Sequence, residues 1–117
     1  MTTATIDATQ VQAAHEKAMA AARQAAQAFS NKYFNGSDGG ACGFAWVNVY
    51  KVRSNSKLGK ALQAVGFRKD YSGAMQLWNS WWHGQSVDAA DHGATAYAMV
   101  MKQELGLNEI YAGSRLD

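Results

Sequence analysis

Apolar positions change their period several times along the chain. Between residues 8 and 34, Val11, Ala18, Ala22, Phe29 and Tyr33 recur at spacings of seven, four, seven and four, which lines them along one face of a helix. Asp7 with Gln10, or Thr9 with Gln12, resembles a capping box at its start, and Asn35-Gly36 supplies the stop. After a loop at 37–40 the pattern switches to alternation over 41–50. Cys42, Phe44, Trp46 and Tyr50 fall on one side, and Ala45, Val47 and Val49 on the other. Apolar residues on both sides predict a central strand covered on both faces.

Helical spacing returns over about 56–65, with Leu58, Ala61, Leu62 and Val65 in a stripe that ends at Gly66. A second strand over about 67–77 puts Phe67, Tyr71, Met75 and Leu77 on one face and polar residues opposite, as suits a strand near an edge. Residues 79–86 read as a loop. A third helix over 87–105 carries Val87, Ala94, Tyr97, Ala98, Met101 and Leu105, with Ser86 as N-cap, Asp88 and Asp91 at the positive end of its dipole, and Gly106 as stop. A short strand at 108–112 and a tail at 113–117 complete the chain.

This order predicts one domain over 1–117: a long helix (8–34), then an α/β body (41–117) with a small three-stranded sheet in strand–helix–strand–helix–strand order. The brevity of the second helix leaves antiparallel, α+β pairing open. The first helix would be about 40 Å long, more than the expected width of the body. Its alanine-rich stripe permits close approach of another backbone. It is therefore expected to meet a second subunit, making a homo-oligomer; the alternative is that it wraps its own sheet.

Composition narrows the function classes. An apolar fraction of 48% and a charged fraction of 17% fit an ordered domain. A net charge of +2 rules out a polyanion binder that acts through overall charge, so any attraction must come from local clustering. The single Cys42 excludes an internal disulfide and fits a reducing cytosol. At the start of an apolar strand it reads as a small core residue rather than a nucleophile. No apolar run reaches the ~18 residues of a membrane span. Met1 to Ile6 lacks the basic-then-apolar pattern of a signal peptide. A cytoplasmic protein without membrane contact is expected.

The charge cluster is present. Lys51 to Lys69 holds six of the eleven basic residues and no acid. Its turn, Arg53-Ser54-Asn55-Ser56-Lys57, falls at a strand-to-helix junction, where hydroxyls, exposed N–H groups and cations can hold an anion. Ser54, Asn55 and Ser56 would donate to phosphate oxygens. Lys57 and Lys60 would supply charge from the first helical turns, and Arg68 and Lys69 would add to it. An ordinary N-cap beside a solvated basic face is the plainer account. The turn lacks the glycines of a phosphate-binding P-loop, and Ser54-Asn55-Ser56-Lys57 matches Ser-x-x-Lys without its companion motifs. No cofactor fingerprint is present.

Three of the four tryptophans lie in Trp78-Asn79-Ser80-Trp81-Trp82-His83. Loop tryptophans must pack against core, ligand or partner, and Trp81 or Trp82 beside cations would suit base stacking. His83, Asp88, Asp91 and His92 lack the repeated spacing of a zinc site. Dipole-stabilising acids and surface imidazoles account for them. Arg115, isolated in sequence, joins the cations if the last strand lies beside the first. A salt bridge to Asp117 or Asp88 is its alternative.

Several strings resemble a family of small uncharacterised proteins of tailed bacteriophages: Ala41-Cys-Gly-Phe-Ala-Trp-Val47, Lys57-Leu-Gly-Lys60, Leu77-Trp-Asn79, Gly84-Gln-Ser86 with Asp88, and Tyr111-Ala-Gly-Ser-Arg-Leu-Asp117. They span about residues 41–117. Where the family has proline after Leu-Trp-Asn, this chain has Ser80, Trp81 and Trp82. The resemblance implies a setting, the cytosol of an infected bacterium, and no activity. The expectation is a non-catalytic accessory protein binding a phosphate-bearing ligand, either a nucleotide signal of host defence or a nucleic acid. The alternative is an inhibitor of a host enzyme that docks through the tryptophan loop and the long helix.

Overall fold

The structure, a computed structural model, describes residues 6–117. The segment read for a signal peptide lies, apart from Ile6, outside them. Helix α1 (Ala8–Phe34) starts at an Asp7–Gln10 capping box and ends with Asn35 in the left-handed conformation. Strand β1 (Gly43–Val49) leads through the turn to α2 (Lys57–Ala64), capped by Ser56. Strands β2 (Arg68–Lys69) and β3 (Met75–Trp78) form a hairpin. Helix α3 (Val87–Leu105), capped by Ser86 and stopped at Gly106, precedes β4 (Ile110–Leu116).

The fold is therefore α+β, with four antiparallel strands in the order β2-β3-β1-β4. After α1 the connectivity is the split βαβ arrangement, β-α-β-β-α-β. Two corrections to the expected sheet follow. The stretch read as one strand at 67–77 turns back on itself at Asp70–Ala74, where Asp70 Oδ1 accepts from Ser72 N, Ser72 Oγ and Ala74 N, and Gly73 takes φ 93°. The final strand runs on through the supposed tail, because residues 110–116 pair along the whole of β1.

One sheet face is closed. Ala45, Val47, Val49, Met75, Leu77 and Ile110 point inward and are buried, with α3 packed on β1 and β4 and α2 on β3. Helix α1 packs chiefly on α3. Its alanines 14, 18, 22 and 26 are buried, so the stripe is filled within the chain. The case for a second subunit no longer rests on that stripe.

Trp81 and Trp82 belong to this interior, at 5% and 4% exposure. Trp81 Nε1 donates to Ala90 O at 2.7 Å, and its ring stacks 6.0 Å from Tyr97. It lies where Gly93 has no side chain, since a Cβ there would meet Trp81 Cδ1 at 2.1 Å and Ala22 O at 3.0 Å. Across the same helix interface His15 Nδ1 lies 2.7 Å from Tyr97 Oη.

Burial holds the His15 imidazole below its ordinary pKa, the Glu16 charge opposing and Arg23 assisting. The unfolded chain, with a pKa near 6.5, thus binds this proton more readily than the folded one. Stability is full above that value and falls as pH drops from it toward the lowered folded value. Urea midpoints should decrease between pH 7.5 and 5.5, before most carboxylates titrate. His15→Gln should flatten that decline; an equal decline in the variant would place its origin elsewhere.

Candidate functional site

The other face of the sheet has no helix packed on it. It carries the side chains that alternate with the buried ones: Phe44, Trp46, Asn48 and Tyr50 along β1, Gln76 and Trp78 on β3, Arg68 on β2, and Tyr111, Gly113 and Arg115 on β4. The registers arrange them in rows. Phe44 faces Arg115. Trp78, Trp46 and Gly113 form the next row, followed by Arg68, Gln76, Asn48 and Tyr111. The first strand is central, as its pattern predicted, but it is covered on one side only.

The aromatics form a connected platform. Trp46 and Trp78 centroids are 5.2 Å apart, and Phe44 meets Trp78 edge-on at 6.1 Å. The Trp46 indole lies across Gly113, where a Cβ would come within 2.5 Å of its Nε1. Arg115 Cζ stands 5.4 Å over the Phe44 ring, a cation–π geometry. Trp78 is 47% exposed and Phe44 41%. Tyr50 and Tyr111 extend the surface, with centroids 6.0 Å apart. Asn48 Nδ2 donates to Tyr50 Oη at 3.1 Å, while its Oδ1 is buried without a partner among the described residues.

The basic turn is built differently from expectation. Ser56 Oγ accepts from Gly59 N at 3.0 Å and donates to Arg53 O at 2.6 Å, so its hydroxyl is engaged in capping. Gln63 Nε2 donates to Ser54 O at 2.7 Å. Gly59 permits this tight fold-back, since a Cβ there would reach Arg53 O at 2.0 Å. Ser56 and Lys57 line one cavity with Lys51 and Arg53; Ser54, Asn55 and Lys60 border a separate one with Gln63. Arg68 turns to its own chain, donating to Gln63 O and Phe67 O. Lys69 lies at the exposed edge.

Arg115 does lie beside the first strand, but opposite Phe44 at the strand's start. The basic turn follows the strand's end, about 20 Å away at ~3.3 Å per residue. The sequence grouping of Lys57, Lys60, Arg68, Lys69 and Arg115 is thus spread around the sheet. No carboxylate lies within 4 Å of any of them among the described residues; the ion pairs there are Lys17–Glu104 and Lys51–Glu109.

The tryptophan loop is tied down by hydrogen bonds, with Trp81 and Trp82 turned inward. Asn79 Oδ1 accepts from Trp81 N and Trp82 N, and Asn79 Nδ2 donates to Trp82 O. Asp38 accepts from Trp82 Nε1 at 2.8 Å, Gln85 N at 2.8 Å and Ser86 N at 2.9 Å. Gly84 lets it approach. His83 packs on Trp82 and His92 on Phe29. Cys42 is exposed, not a core thiol. It lies just before β1, where its carbonyl accepts from Asp117 N and the strand's inward pattern has not begun.

No protein-family model, curated protein or solved structure matches the chain. The class defined by the geometry is a split-βαβ domain whose sheet is covered by helices on one face and aromatic on the other. No helix among the described residues is long and apolar enough to cross a membrane.

The Asp38 carboxylate is held below its ordinary pKa first by the Gln85 N–H, then by Trp82, Ser86 and the His83 charge, against some desolvation. Asp38→Ala removes three acceptor contacts at an exposed position and should cost about 1–2 kcal/mol of stability. The checking measurement is chemical denaturation at neutral pH. A wild-type midpoint would show that the loop holds itself without Asp38.

Proposed function

We propose that this protein is a non-catalytic binder of single-stranded nucleic acid, which lies across the open sheet face. The observation that carries the reading is the Phe44–Trp46–Trp78 platform on the two central strands, flanked by Arg115. Every base has a π face, so base stacking on such rings tolerates sequence variation, and nearby guanidinium groups meet the backbone phosphates. RNA-recognition modules place aromatics on the central strands of a four-stranded sheet in the same way. That likeness is one of architecture and supplies no activity by itself. Gln76, next to the rings, supplies hydrogen-bonding groups for base edges. The cytosol of an infected bacterium remains the setting that the bacteriophage resemblance implies. There the ligand would be host or viral nucleic acid.

A second reading, a host protein as partner, is favoured by Tyr111, half-exposed, which extends the apolar surface onto β4 at the sheet edge. Exposed apolar patches of that kind also mark protein interfaces. Of the long helix and the tryptophan segment, the alanine stripe, Trp81 and Trp82 are buried inside the chain, whereas Tyr33 and Trp78 stay exposed to a partner.

Titration with oligouridylate and oligothymidylate 12-mers by fluorescence anisotropy should show binding that weakens as salt is added, as phosphate neutralisation requires. Trp78→Ala should reduce affinity roughly 5- to 100-fold, the range for losing one stacked base, without lowering the unfolding midpoint by more than about 1 kcal/mol. Absence of binding to either oligomer, or an affinity unchanged in Trp78→Ala, would remove this reading and leave the protein partner.

A further inference from the structure

Beyond the end of β1 the platform gives way to a cavity of about 520 Å³. Tyr50 lines both this cavity and the surface containing Trp46 and Trp78, so the two adjoin. Its apolar floor includes Leu58 and Leu107, and Lys51, Arg53 and Lys57 line its walls. Lys51 has φ 61°, left-handed and costly for a lysine. This turns the chain so that residues on both sides of the bend border one concavity. Lys51 Nζ pairs with Glu109 at 3.5 Å. Neither Arg53 nor Lys57 has a carboxylate within 4 Å among the described residues. The α2 N-terminus carries none of the argument, since Ser56 caps it.

We propose that this cavity binds the terminal phosphate monoester of a strand lying on the sheet, making the protein a reader of phosphorylated nucleic-acid ends. The proposal rests on the single-strand reading and deepens it. A monoester carries close to two negative charges at neutral pH and three free acceptor oxygens, against one charge on an internal diester. Two uncompensated cations beside a third match the monoester better. The apolar floor and the Tyr50 ring suit the sugar and base of the last nucleotide. Glu109 is the opposing element. It holds Lys51 and repels the phosphate, so Lys51 must exchange Glu109 for the ligand.

The test compares one uridine 12-mer in three forms: 5′-phosphate, 3′-phosphate, and hydroxyl at both ends. One phosphorylated form should bind about tenfold or more tighter than the hydroxyl form, the scale of one charge-assisted contact. Arg53→Ala with Lys57→Ala should abolish that preference while changing hydroxyl-form affinity by less than about threefold. Trp78→Ala should weaken all three forms and keep their ratio. Glu109→Gln should increase the preference. Equal binding of all three forms by the wild type, or a preference that survives the double variant, overturns the proposal. If no 12-mer binds, uridine monophosphate decides by amide chemical shifts. Shifts confined to 50–58 and 107–109 keep the cavity as a nucleotide site and discard the platform; no shifts discard both.

Discussion

Trp81 sets the constraint on which the rest of the arrangement depends. Its indole needs a side-chain-free position on α3, found at Gly93, and a backbone acceptor, found at Ala90. Ala22 O stands only 3.0 Å from where a Gly93 Cβ would be, so the same bare position also lets α1 approach α3 closely. Adding even one methyl group at Gly93 would overpack this seam, a change that costs about 1–3 kcal/mol in ordered cores. The same ring ties the exit of β3 to the helices. The Asp38 carboxylate then clamps the remainder of the loop through Trp82, Gln85 and Ser86. Helix α3, and α1 packed on it, are thereby held on one side of the sheet.

What this leaves on the other side is an aromatic surface with little internal reason to be there. Trp46 gains cover from lying across Gly113, and Phe44 from Arg115, but the rings remain partly in water. Large exposed aromatics are not needed to hold the fold, because the inner residues of the same strands already form its core. Their position in adjacent rows, beside Arg115, is the physical basis for proposing a ligand with flat rings and negative charge on this face. The cavity past Tyr50 extends that surface toward cations of the basic turn that the platform itself does not use.

Helices were legible because their signals are local. Asp7 with Gln10, Ser86 and Gly106 occupy the capping positions that the sequence suggests. The hairpin at Asp70–Ala74 was missed although Asp70 and Gly73 are turn residues, since Phe67, Met75 and Leu77 continue an alternation across it. The last strand was cut short at Gly113, whose lack of a side chain serves Trp46 from the next strand rather than ending the element. The candidate site was the least legible part. Phe44 and Trp46 carry the same apolar signal as a doubly covered strand, and nothing local says that one cover is absent. Trp81 and Trp82 looked available because their partners, Gly93, Ala90 and Asp38, lie far along the chain. The basic residues cluster in sequence, yet strand length separates them from Arg115 in space.

The central claim is that the open sheet face, and not the tryptophan loop, is the binding surface. Ultraviolet crosslinking of an oligouridylate to the intact protein, followed by mass-spectrometric location of the modified residues, tests it most directly. Crosslinks at Phe44, Trp46 and Trp78 are the predicted result. Crosslinks confined to residues 79–86 or to the outer surface of α1, with β1 and β3 unmodified, would contradict it.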